Sequence, residues 1–177
     1  MNQSTEQVVK RSRRFIFLIQ IGLLILLSIL AGLDYVSEDV KAGSFFYAVI
    51  LGALGASISL MRRATNEDAQ LLTQLTTDRV FSIMVPILYG VLMAGIGYLL
   101  FMSEILSGDN GGGLFTTNLF PNFTDPTITS SLLRQFIEME PDGMKNTGKL
   151  LVWSFIAGYS ERFIAGILGQ LEKQGKA

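Results

Sequence analysis

Hydrophobic residues in this chain come in long unbroken runs, not in the alternating pattern of a half-exposed helix or strand. Phe15 to Leu33 is interrupted only by Gln20, Ser28 and two glycines. At 1.5 Å per residue such a run is ~28 Å long, about one bilayer hydrocarbon thickness. Residues 42–61 form a second uncharged run that stops at Arg62-Arg63, and residues 80–102 form a third with Pro86 near its start. A fourth, residues 150–168, is equally long but carries Glu161 and Arg162 side by side in its second half. The pattern predicts an all-α membrane protein with four transmembrane helices over about 15–33, 42–61, 80–102 and 150–168. Residues 1–14 are then a basic cytoplasmic N-terminus, and 15–177 form a single bundle domain.

The polar connections are of two kinds. Residues 62–79 are short and carry Arg62, Arg63 and Arg79 against Glu67, Asp68 and Asp78, with Leu71, Leu72 and Leu75 spaced for a brief interfacial helix. Residues 103–149 are long and open on the glycine-rich stretch 107–113, which has linker composition and lacks the Gly-Lys-Ser/Thr of a phosphate loop. Asp125-Pro126 then reads as a helix start, followed by Ile128, Leu132, Leu133, Phe136 and Ile137 at helical spacing. This predicts an amphipathic helix in the outer loop between the third and fourth spans.

Charge sets the orientation. With the N-terminus in the cytoplasm, the cytoplasmic segments sum to plus four and the outer segments to minus five. Lysine and arginine favour the cytoplasmic side, so both termini are expected there, in a bacterial inner membrane. Lys10-Arg-Ser-Arg-Arg14 before the first run resembles a signal peptide, but the run is long for one and Ile29-Leu-Ala-Gly-Leu33 lacks a small-x-small cleavage pattern. A retained anchor is the expectation.

Composition narrows the chemistry. Charged residues make up 16% of the chain, against about 25% in soluble domains. Cysteine and histidine are both absent, which removes thiolate and imidazole catalysis and the usual zinc ligands. Ser160 beside Glu161 has no imidazole to activate it, falls on a different helical row, and has no lysine in the same turn. No catalytic residue, metal site or cofactor is expected, and no nucleic-acid partner.

Two features invite a functional reading. Small residues in i, i+4 rows mark where membrane helices pack closely. Ala48, Gly52 and Ala56, with Gly55 and Ser59 beside them, form such rows in the second span. Gly90, Ala94 and Gly97 do so in the third, and Gly158 and Gly166 in the fourth. The second feature is the Glu161–Arg162 pair, since a charge at bilayer depth costs roughly 3 kcal/mol on insertion scales. Read as one straight helix, the fourth run places both charges on its small-residue face, with Gln20, Ser57 and Ser82 as possible polar partners at matching depth. Gly158-Tyr-Ser-Glu-Arg-Phe163 and the stretch 52–63 resemble segments of uncharacterised small bacterial inner-membrane proteins. That resemblance implies no activity.

The expected function is a non-enzymatic assembly or interaction subunit of a membrane complex, joined to further copies or to a partner membrane protein and surrounded by lipid. An oligomeric ion or solute channel using Glu161 and Arg162 is the alternative. An intramembrane enzyme is a distant third, because no polar residues converge on Ser160.

Overall fold

The structure, a computed structural model, describes residues 3–36, 43–66, 78–103, 105–106, 118–124, 135, 139–160, 163–164, 166–167 and 169. Four helices account for most of these: α1 (Gln3–Val36), α2 (Ser44–Thr65), α3 (Arg79–Met102) and α4 (Gly143–Tyr159). Three of them are long and apolar enough to cross a membrane, over Lys10–Val36, Ser44–Thr65 and Val80–Met102. The described residues form no strand, only one isolated bridge between Phe123 and Pro141. The expected amphipathic helix over 125–137 lies outside the described residues apart from Gln135, as do Leu71, Leu72 and Leu75.

Local chemistry explains where the helices start and stop. Asp78 caps α3, accepting from the Phe81 amide at 3.2 Å and so satisfying one of the orphan donors of the first turn. Arg62 and Arg63 occupy the last turn of α2, where cations meet the negative end of the helix dipole. Gly143 opens α4 with φ of 71°, a conformation that costs a side-chain-bearing residue strain.

α1 is already helical from Gln3, ahead of the apolar run that begins at Phe15, and Ser12 and Ile16 on it are buried. The Arg13 guanidinium donates to the Ala64 carbonyl at 2.8 Å, tying α1 to the last turn of α2. That end of the bundle, which also carries Lys10, Arg11, Arg14, Arg62 and Arg63, is the basic end. The other end, termed the acidic end, holds Asp34, Glu140 and Asp142 alongside Lys145 and Lys149.

The fourth run needs correction. It does not continue as one helix from 150 to 168. The helix begins earlier, at Gly143, and ends at Tyr159, where Ser160 adopts extended backbone (φ −115°, ψ 100°). In a straight helix Phe163 would stand ~15 Å beyond Trp153. Instead the two rings stack, 5.2 Å apart and 11° from parallel. Gly158 lies against Gly90 of α3, yet Ile164 meets Gly97, two turns nearer the acidic end. Ile164 and Ile167 accordingly belong to the apolar cluster of Tyr98, Phe101, Leu106, Phe120 and Leu150, not to the basic-end cluster of Ile16, Leu60, Ile83 and Ile87. The chain has turned back on itself. Phe163, Ile164, Gly166, Ile167 and Gly169 are helical in the returning direction, so α4 and its continuation form a helical hairpin.

At the acidic end, residues 118–124 fold over α4. Lys149 donates to Asn118 Oδ1 at 2.9 Å and to the Phe120 carbonyl at 3.3 Å, and the Trp153 indole donates to the Leu119 carbonyl at 2.8 Å. Tyr98, fully buried, stands edge-on to both Phe45 and Phe123, favourable geometry for aromatic rings.

Candidate functional site

The middle of the bundle is a three-way contact between backbones. A Cβ built on Gly90 would lie 2.8 Å from the Gly52 carbonyl oxygen, and one on Gly158 would lie 2.6 Å from the Gly52 Cα and closer still to its carbonyl. One on Gly55 would strike the Phe155 carbonyl and come within 2.8 Å of the Tyr159 amide nitrogen. Ala56 and Ala94 complete the surface around Gly52 and Gly90. Without side chains at these points the helix axes approach closely, and dispersion contacts accumulate along the whole seam. Gly52 is the hub, touching α3 on one side and α4 on the other.

The hairpin turn sits immediately past this junction. Two residues beyond Gly158, Ser160 ends α4 and accepts from the Phe163 amide at 3.1 Å, starting the returning segment. Tyr159 packs its ring under Arg62, whose guanidinium carbon is 5.1 Å from the ring centroid. Ala56, Ser59, Leu60, Arg63, Pro86 and Gly158 enclose a cavity of about 10 Å³ just to the basic side of the junction, room for about one water. Pro86 has no amide hydrogen, so it leaves the Ser82 carbonyl without its usual helical donor on that flank.

Glu161 and Arg162 themselves lie outside the described residues. Of their expected partners, Gln20 is half-buried on α1. The Ser57 hydroxyl donates to the Leu54 carbonyl at 2.8 Å and the Ser82 hydroxyl to the Asp78 carbonyl at 2.6 Å, each within or at the start of its own helix. Among the small residues singled out in the sequence, Gly52, Gly55, Ala56, Gly90, Ala94 and Gly158 meet at the junction, and Ala48 is buried in the acidic-end cluster. Ser59 lines the small cavity, and Gly97 faces Ile164 and Ala157. Gly166 is exposed, and a Cβ on it would meet nothing within 4 Å.

Sequence reasoning missed the Arg62–Tyr159 contact, the Arg13–Ala64 tie and the chain reversal. The reversal had a signal: Gly158 and Ser160 together are a helix-stop residue followed by an N-cap residue, which an apolar background obscured.

Two tests bear on this site. Tyr159→Leu removes the cation–π contact, worth about 0.5–1 kcal/mol at a partly exposed site, and is expected to lower the melting temperature slightly. An unchanged melting temperature would mean the contact adds nothing. Ser154 is buried, and among the described residues its hydroxyl has no hydrogen-bond partner. Ser154→Ala is therefore expected to leave stability unchanged or raise it, since it deletes an unsatisfied group worth about 1–3 kcal/mol in desolvation. A clear fall in melting temperature would contradict the packing described.

Comparison with known proteins found no matching family model, no similar curated protein and no similar solved structure.

Proposed function

We propose that the chain is a non-enzymatic subunit of a membrane assembly, built as three spans that carry a re-entrant helical hairpin. The reversal at Ser160 is the observation behind this reading. Irregular backbone at bilayer depth is tolerated only where protein or a water-filled cavity shields it. Here the turn follows directly on the glycine junction, midway along α2 and α3. The glycine junction thus lies beside Ser160, after which the sequence carries Glu161 and Arg162. The role assigned to this charged pair is to engage a charged or polar group of another protein. α1 supplies the lateral contact surface: it packs on α2 and leaves Phe17, Leu18, Leu24, Ile25 and Ile29 exposed.

On this reading the C-terminus leaves on the acidic side. That move carries Lys173, Lys176 and Glu172 outward, and the charge asymmetry keeps its sign, plus three inside against minus four outside. The cytoplasmic membrane of a bacterium, with α1 beginning inside, remains the proposed location.

A second reading, a conduit past Glu161 and Arg162, draws support from the broken helix, a device used at transport sites. The backbone contacts of Gly52, Gly90 and Gly158 close the centre of a single copy and favour the assembly reading.

The chain has no cysteine, so single introduced cysteines report topology cleanly. Thr65→Cys is expected to resist a membrane-impermeant maleimide added outside cells, while Lys145→Cys and Ala177→Cys react. If Ala177→Cys behaves like Thr65→Cys, the hairpin is not re-entrant. For assembly, Ile25→Cys should cross-link to another copy or to a distinct membrane protein in native membranes. A chain that stays monomeric there, yet makes liposomes leak ions in a Glu161-dependent way, would transfer the assignment to the conduit.

A further inference from the structure

α1 turns one stripe toward α2 and the opposite stripe away from the bundle. Ser12 and Ile16 are fully buried, and Ile19 and Leu23 are half-buried against the basic-end cluster, so these positions mark the inner stripe. The bond from Arg13 to the Ala64 carbonyl fixes that rotation. The opposite stripe, at helical spacing, consists of Lys10, Arg11, Arg14, Phe17, Leu18 and Ile21, and every member is exposed. It changes from cationic to apolar within one turn. Of the cations at the basic end, Arg13 is committed to α2 and Arg62 to the Tyr159 ring. Lys10, Arg11 and Arg14 have no partner among the described residues, and no Asp or Glu stands three or four positions from either arginine.

We propose that Lys10, Arg11 and Arg14 form a binding site for the phosphate of an anionic phospholipid whose acyl chains lie along Phe17, Leu18 and Ile21. The proposal rests on the membrane reading above. The spacing suits a phosphate. Helical residues three and four apart have Cβ atoms ~5–6 Å from one another, so Lys10 and Arg11 both stand beside Arg14, within reach of a single anion. Arginine is well matched to phosphate because its fork donates two parallel hydrogen bonds. Without an anion, like charges at these spacings repel and weaken the helix, and a phosphate relieves that repulsion. The apolar half of the stripe then selects a lipid over a free ion. Ile21 lies ~10 Å beyond Arg14 along the axis, so a headgroup on the cations brings acyl chains directly onto exposed apolar side chains. An acidic protein segment would match the charges but not this abrupt passage to apolar surface. Net charge selects among lipids. Phosphatidylethanolamine brings its own ammonium against the cations, whereas phosphatidylglycerol does not, and basic clusters beside a spanning helix draw anionic lipid on this principle. The lipid covers the first half of the apolar run and leaves Ile25 and Ile29 for the lateral contact proposed above.

The test is native mass spectrometry of the full chain released from nanodiscs containing equal phosphatidylglycerol and phosphatidylethanolamine. Retained phosphatidylglycerol is expected, favoured severalfold over phosphatidylethanolamine. Arg11→Gln and Arg14→Gln should each weaken that retention about fivefold, the scale on which one cation at a membrane surface contributes. Both side chains are exposed, so the variants are expected to keep the wild-type melting temperature. Lys145→Gln removes the same charge from an exposed position at the acidic end and should leave retention unchanged. Equal retention of the two lipids would overturn the proposal, as would a loss in Lys145→Gln that matches the loss in Arg14→Gln. Displacement of the lipid by millimolar inorganic phosphate would overturn it too, by showing that a free anion suffices. So would cross-linking of Arg14→Cys to another membrane protein in native membranes, which would give the stripe to a protein. Vesicle flotation separates the two levels: a chain that fails to float refutes the membrane reading, whereas one that floats but shows no lipid preference refutes this site alone.

Discussion

Gly158→Leu is expected to prevent the bundle from closing, with a loss of about 3 kcal/mol or more and little folded protein recovered from detergent. The reason is geometric. A Cβ at this position would fall on the Gly52 backbone, and backbone cannot rotate away as a side chain can. Inserting bulk into a close-packed core typically costs about 1–3 kcal/mol even where side chains yield. Here α4 would have to move off α2, taking with it the contacts of Gly55 with Phe155 and Tyr159. Gly166→Leu is the matched control. It changes the same residue type eight positions later, where a Cβ meets nothing within 4 Å, and it is expected to leave the melting temperature nearly unchanged. Thermal unfolding of both variants, followed by size exclusion in mild detergent, decides the matter. Equal stability would mean that the glycine junction is incidental.

The second large effect is expected from the charged pair Glu161–Arg162. If Glu161 and Arg162 are engaged in a shielded polar cluster, losing either leaves the other uncompensated, which for a buried pair typically costs about 3–5 kcal/mol. Glu161→Gln and Arg162→Met should each lower the folded yield. The double variant should recover much of it, because replacing a whole buried pair with neutral groups is often close to neutral. The cluster reading fails if both single variants keep wild-type melting temperatures. If they also change ion flux in liposomes, the pair belongs to a conduit. Arg62 stacks on Tyr159, and Arg63 lines the small cavity beside Gly158. Adding Arg63→Met to Glu161→Gln therefore gives a second double-mutant cycle, in which non-additive losses identify coupled charges.

The helices long and apolar enough to cross a membrane were legible because their signal is additive along the chain: each apolar residue in 15–33, 42–61 and 80–102 contributes to the same preference for hydrocarbon. Helix packing was legible in part. The row Gly52–Ala56 and the pair Gly90–Ala94 mark faces that must be thin, but nothing local says that Gly52 faces both α3 and α4 at once. The fourth run was misread as straight because its hydropathy is uniform through the break. Apolar surface is buried equally well by a spanning helix and by a hairpin folded against the acidic-end cluster, so composition does not distinguish them. The alignment of Glu161 and Arg162 with a small-residue face assumed one unbroken helix through Ser160, and the break removes that assumption.

The amino-acid sequence by itself determined three helices long and apolar enough to cross a membrane, the helical class, the distribution of charge between the helix ends, and the lack of cysteine and histidine. Those properties depend on residue type summed over a segment. The tertiary structure decided where the chain reverses, that Gly52 is the hub, that Arg62 covers Tyr159, and that Arg13 ties α1 to the last turn of α2. Each of these pairs residues far apart in the chain or depends on one backbone conformation. Contacts of that kind are chosen by how the helices fit against one another, and that fit is not encoded in any single segment.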